Sequence, residues 1–128
     1  MAVIEKPKSV NLARGAFDQA ITAEGRVDIK VLAGLLDLPL ATLAPAFGVS
    51  RRALDSNPIA PKAQTNARRF VVAMNELATN LTDKRFALFW LKTPYATFAG
   101  KTAADWLKDG DLEGVCAAID RVIVNQPE

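Results

Sequence analysis

Apolar side chains recur at steps of three and four along Ala67, Phe70, Val71, Met74, Leu77, Ala78 and Leu81. Four turns of that spacing bring every one of them to one side of a helix, whereas a strand would scatter them over two faces. The chain is therefore predicted to be built around a central amphipathic helix, whose apolar stripe other elements must cover. No alternation of period two, internal repeat or low-complexity stretch stands out. An all-α fold is expected.

The covering elements are also read as helices. Ser9 can cap a first one running to about Ala23, with Leu12, Ala16 and Ala20 on one face and Gly25 beyond its end. A second begins near Asp28, carries Ile29, Leu32, Leu35 and Leu36, and stops before Pro39, which suits the first turn of the next. Leu43, Ala44 and Phe47 then share a face, followed by Gly48, Val49, and Ser50 as N-cap of a helix bearing Ala53 and Leu54. This is helix-turn-helix spacing: a residue tolerant of positive φ in the turn, a small side chain where the helices cross, and an apolar plug. Pro58 and Pro61 limit that helix to about two turns, and Asn57 occupies a position usually apolar in repressor-like motifs. C-terminal to the central helix, Thr82 can cap a helix containing Phe86, Phe89 and Trp90 that ends ahead of Pro94. Thr102 and Asp105 form a capping box for a short helix ended by Gly110. Leu112, Val115, Cys116, Ile119, Val122 and Ile123 line the last one.

Half of the 128 residues are apolar and about a quarter charged, enough for one compact core and too few residues for two ordinary domains. The N-terminus, Met1 to Pro7, is not followed by an apolar stretch of the kind that marks export or membrane insertion, so a cytoplasmic protein is expected. There is no histidine, which removes the commonest general base and metal ligand. The single cysteine, Cys116, falls in an apolar stripe and is read as a buried thiol. With no nucleophile beside a base and no glycine-rich phosphate loop, no catalytic residue, metal site or cofactor is assigned. Asp109, Asp111 and Glu113 lack a calcium-type loop and read as acids at a helix N-terminus. Net charge is +2 but unevenly placed: Ser50–Phe70 is basic, and the stretch from Gly100 onward is acidic.

Ala87 to Gly100 reads A-L-F-W-L-K-T-P-Y-A-T-F-A-G. Trp90, Leu91, Pro94, Phe98 and Gly100, then the capped helix Thr102 to Leu107, then the amphipathic helix Leu112 to Ile123, follow one another in an order that resembles the toxin-binding region of Xre/MbcA/ParS antitoxins. With the upstream helix-turn-helix the similarity spans Asp28 to Asn125. The family often has proline where Ala103 stands, and a glycine and an apolar residue where this chain ends Asn125-Gln126-Pro127. The resemblance implies an antitoxin of a type II toxin–antitoxin system that neutralises a RES-domain toxin, an enzyme that depletes NAD, by covering its active site. It also implies possession of operator DNA as a second partner in many members, through repression of their own operon.

On that reading the toxin interface is expected at Trp90, Lys92, Thr93, Pro94, Tyr95, Lys101, Gln126 and Glu128. Lys92 to Tyr95 fall in a loop where side chains stay accessible, and tyrosine makes a good interface anchor. Glu128 can meet the cations with which a toxin holds the NAD pyrophosphate, although a solvated terminus explains it as well. Phe86, Phe89 and Trp90, at helical spacing, are expected mainly as core. DNA contacts are expected from Ser50, Arg51, Arg52, Asn57 and Lys62, giving affinity for phosphates more than base reading; Arg68 and Arg69 can extend that surface. The organisation expected is a helix-turn-helix-like part, residues 1–65, and a toxin-binding helical part, residues 66–128, sharing a core. A homodimer or a hetero-oligomer with the toxin fits this scheme. The rival reading is a stand-alone helix-turn-helix transcriptional regulator whose C-terminal half only dimerises.

Overall fold

The computed structural model describes residues 15–81 and 84–124. Among them are seven α-helices and no strand, the all-α architecture expected. α1 spans Ile29–Leu36, α2 Leu40–Phe47, α3 Arg51–Ser56, α4 Gln64–Asn80, α5 Lys84–Leu91, α6 Ala103–Lys108 and α7 Leu112–Val124.

The helix ends follow local chemistry. Asp28 caps α1, its Oδ1 accepting from the N–H groups of Lys30 (3.0 Å) and Val31 (3.1 Å). Pro39 is the N-cap residue of α2, one position before its first turn. α2 ends in a Schellman turn: Gly48 takes φ 79°, its N–H reaches Pro45 O, and the Val49 N–H reaches Ala44 O (3.1 Å). Ser50 then caps α3 through its Oγ, which accepts from Ala53 N–H (3.0 Å). Thr102 and Asp105 form the reciprocal capping box at the start of α6.

The first helix is where expectation and structure part. Ser9 and Leu12 lie outside the described residues, and the stretch that was expected to continue helical to Ala23 does not. It makes a turn, one 3₁₀ turn at Asp18–Ala20, and an isolated antiparallel bridge between Ile21 and Val27. The cause is a set of side-chain contacts that compete with the helix. Asp18 Oδ2 accepts from Gly15 N–H (2.9 Å), and Asn75 of α4 accepts from Phe17 N–H (2.9 Å) while donating to Asp18 Oδ1 (2.8 Å). The backbone passes so close to α4 that a Cβ on Gly15 would lie 1.9 Å from Asn75 Cγ. Farther along, the buried Gln64 side chain accepts from Val27 N–H (2.7 Å) and donates to Val27 O (3.0 Å), pinning the segment to the start of α4.

One continuous core runs through the described residues from Phe17 to Ile119. α4 is its axis, burying Ala67, Phe70, Val71, Met74, Leu77 and Ala78 as the periodicity predicts, with Leu81 half-buried. α7 and α5 pack on α4 from the C-terminal half, and α2 packs on both α4 and α6. Phe47 of α2 and Phe70 of α4 meet with ring centroids 6.0 Å apart. Cys116 is buried in α7, as its place in the stripe suggests. No helix among the described residues is long and apolar enough to cross a membrane.

Candidate functional site

α5 is short, and one stripe, Ala87, Trp90 and Leu91, buries it against the core. Alanine at 87 lets the neighbouring helix come close, so the helix docks on that edge. This overturns the expectation for two of its three aromatics. Trp90 is interior, but Phe86 is 54% exposed and Phe89 66% exposed.

Behind Trp90 the aromatic packing is tight. Phe98, fully buried, meets Trp90 edge-on at 5.8 Å and Trp106 at 4.7 Å, and Tyr95 lies 6.1 Å from Trp90. The loop carrying Tyr95 is closed by its own backbone: Tyr95 N–H donates to Lys101 O (3.2 Å), and Gly100 N–H and Phe98 N–H both donate to Tyr95 O (3.0 Å). A rigid floor results.

Over that floor lies an open groove of about 520 Å³, walled by Phe86 and Phe89 on one side and by Val122 of α7 on the other, with Leu81, Trp90 and Tyr95 between. A hollow of about 270 Å³ adjoins it, sharing Trp90, Tyr95 and Val122 and adding Thr97 and Arg121. A third, flanking depression is formed by Arg85 with the outer sides of Phe86 and Phe89. Together they make one apolar trough between α5 and α7. Arg85 and Arg121 are the charged side chains among its described lining, and no carboxylate is among them.

Of the residues expected at a toxin interface, Trp90 and Tyr95 line this trough. Lys92 does not; its Nζ donates to Asp37 O (3.0 Å) and pairs with Asp37 Oδ2 (3.1 Å), tying the end of α5 to the end of α1. Thr93 Oγ1 donates back to Phe89 O (2.7 Å), Pro94 is exposed, and Lys101 lies 3.9 Å from Asp109. Gln126 and Glu128 fall outside the described residues. Phe86, Phe89, Leu81, Val122 and Arg121 belong to the trough without having been expected there. The signal that marks Phe86 and Phe89 is the rival stripe Ala87, Trp90, Leu91, which has the i, i+3, i+4 spacing of a buried edge and leaves both outside it.

The residues expected to contact DNA do not line the trough. Ser50 is engaged as a cap, and Asn57 Oδ1 accepts from Ile59 N–H (3.2 Å) within the turn after α3. Arg51 lies 3.6 Å from Asp55, which Lys30 also approaches at 3.9 Å. Arg52 and Lys62 are exposed. Arg68 donates to Gly25 O (2.8 Å), and Arg69 pairs with Glu113 of α7; their hydrogen bond raises the pKa of Arg69 and holds Glu113 below the usual carboxylate range. Burial pushes the Cys116 thiol up. Asp111 Oδ1 accepts from Gly114 N–H (2.8 Å) at the start of α7, a helix-end role. No group of three metal-ligating side chains occurs among the described residues.

No family model, curated protein or solved structure matches this chain.

Proposed function

We propose that the chain is a stoichiometric antitoxin of the Xre/MbcA/ParS type, whose C-terminal half binds a RES-domain toxin and blocks NAD from its active site. The observation that supports this reading most is the apolar trough between α5 and α7, with Phe86 and Phe89 held out in solvent above a rigid aromatic floor. Exposed aromatics beside a concave apolar surface are what a protein interface uses for its anchors. Phe89, Trp90, Tyr95, Arg121 and Val122 of the trough also fall within the segment whose order of residues resembles the toxin-binding region, and Leu81, Arg85 and Phe86 immediately precede it. No catalytic group is required, because occlusion alone stops the toxin.

Co-expression with a RES-domain protein encoded beside the chain tests this directly. Co-elution on size exclusion together with restored cellular NAD is expected; separate elution with NAD still depleted would reject it.

Binding to operator DNA is a second proposed activity, supported by the tight turn at Gly48 and by Arg51 and Arg52 on the first turn of α3. With Ser50 and Asn57 bonded to backbone and α3 only six residues long, the contacts are to phosphates. Arg51, Arg52 and Lys62 supply the charge. If the chain binds DNA in a salt-sensitive way and no RES-domain protein at all, the stand-alone regulator is the correct reading.

A further inference from the structure

We propose that the outer face of α1 pairs with α1 of a second copy of this chain, the two helices antiparallel and crossing at Gly34. The proposal stands apart from the antitoxin reading, because no residue of α1 lines the trough.

α1 is apolar on more sides than the core covers. Apart from Lys30, all of its residues are apolar or glycine, and Ile29, Leu32, Ala33 and Leu36 are the ones buried inside the chain. Val31, Gly34 and Leu35, with Leu38 just past the C-cap, have the i, i+3, i+4, i+7 spacing of a second stripe. Val31 is 41% exposed, Gly34 is exposed, and Leu35 and Leu38 are half-buried. A helix apolar round most of its circumference is one covered on more than one side.

Gly34 points to the kind of cover. It lies inside the helix without a positive φ, and a Cβ built on it would meet nothing within 4 Å. Neither conformation nor packing within the chain asks for glycine, and glycine in a helix interior is less stable than alanine. What it supplies is a low point in the stripe, where a second backbone can come close.

The flanks decide the occupant. Lys30 stands in the first turn of α1 and Asp37 is its C-cap, on either side of the middle of the helix. A two-fold axis through that middle sets Lys30 of each copy beside Asp37 of the other. Both are already paired within their own chain, Lys30 with Asp55 (3.9 Å) and Asp37 with Lys92 (3.1 Å), but the Asp37 side chain remains 92% exposed. The row that the axis builds, Asp55 and Lys30 of one copy followed by Asp37 and Lys92 of the other, alternates in sign throughout. A parallel pairing would instead set lysine on lysine and aspartate on aspartate. Two helices of eight residues make a small interface, so the dimer is weak and reversible.

Sedimentation equilibrium of the full chain from about 1 µM to about 1 mM tests the proposal. A reversible monomer–dimer equilibrium is expected, and Val31→Glu should weaken it about tenfold or more. Gly34→Gln should move two readouts in opposite directions. It should raise the melting temperature of the dilute monomer by a few degrees through better helix propensity, and weaken the dimer by holding the axes apart. Lys30→Glu and Asp37→Lys should each self-associate more weakly than the parent. Mixed together they should form a heterodimer of parent-like affinity, because the two-fold then places opposite charges at both ends. Circular dichroism and the melting temperature of each variant confirm its fold. A monomer throughout the range, a dimer indifferent to Val31→Glu and Gly34→Gln, or a mixture that associates no better than its components would overturn the proposal. So would a dimer that Phe89→Asp abolishes, since the trough and not α1 would then be the self-association surface.

Discussion

The side-chain amide of Gln64 accepts from one backbone group of Val27 and donates to the other, both inside the core, so it acts as a strand partner although the described residues contain no sheet. Leucine in its place would fill similar space and leave a buried N–H and a buried C=O unpaired. Gln64→Leu should therefore lower stability by about 2–4 kcal/mol in urea unfolding. A loss under about 0.5 kcal/mol would show that water replaces the amide freely. The aromatics of α5 separate the two jobs a ring can do. Trp90→Ala removes a buried ring held by Phe98 and Tyr95 and should cost about 3–5 kcal/mol. Phe89→Ala, at an exposed position, should leave stability within about 0.5 kcal/mol and yet weaken partner binding, read by melting temperature and by co-elution.

The helices themselves differ in how far their residues announce them. α4 is legible because seven apolar groups repeat over four turns, and α6 because the side chains of Thr102 and Asp105 each accept from the other's backbone N–H at its start. The segment before Val27 is not, because what shapes it comes from far along the chain: Asn75 and Gln64 hold its backbone, and no local pattern reveals a partner some 40 to 60 residues away. α5 misleads for another reason. Aromatics outweigh alanine in any reading by hydrophobicity, yet Ala87 sets the buried edge, so Trp90 and Tyr95 of the trough are legible in the sequence while Phe86 and Phe89 read inward. At this scale the caps give the clearest consequence. Backbone and hydroxyl hydrogen bonds from Thr102 hold the Asp105 carboxyl below its ordinary range. A carboxylate with a depressed folded pKa adds stability that is present above about pH 4 and fades as pH falls through the lowered value. Thr102→Ala should cost about 1 kcal/mol at neutral pH. The variant should also lose somewhat less than the parent on acidification below pH of about 4, because the carboxylate keeps the backbone N–H of residue 102 but loses the hydroxyl that also lowers its pKa. Parallel pH profiles would refute that role for the cap.

Across the whole molecule, α2 from the N-terminal half packs on both α4 and α6 from the C-terminal half, and α7 packs on both as well. Phe70 of α4 packs against Phe47 of α2, a contact that crosses between the two halves. Lys92 adds a polar tie between the halves, but an exposed pair of this kind contributes at most about 1 kcal/mol, so the shared core and not the clasp joins them. Two consequences follow from that packing. The full chain should unfold in one transition, with calorimetric and van't Hoff enthalpies equal, since neither half can lose its core alone. A fragment of residues 66–128 should keep helical signal but expose the α4 and α6 surfaces that α2 covers, and so bind hydrophobic dye and melt without cooperativity. A sharp, independent transition in that fragment would mean that the trough is carried by a self-sufficient unit. If the single transition holds instead, changes at the Gly48 turn reach the trough through stability. Gly48→Ala, strained at φ 79° by about 1–2 kcal/mol, would then reduce the folded fraction available to the partner without touching its contacts.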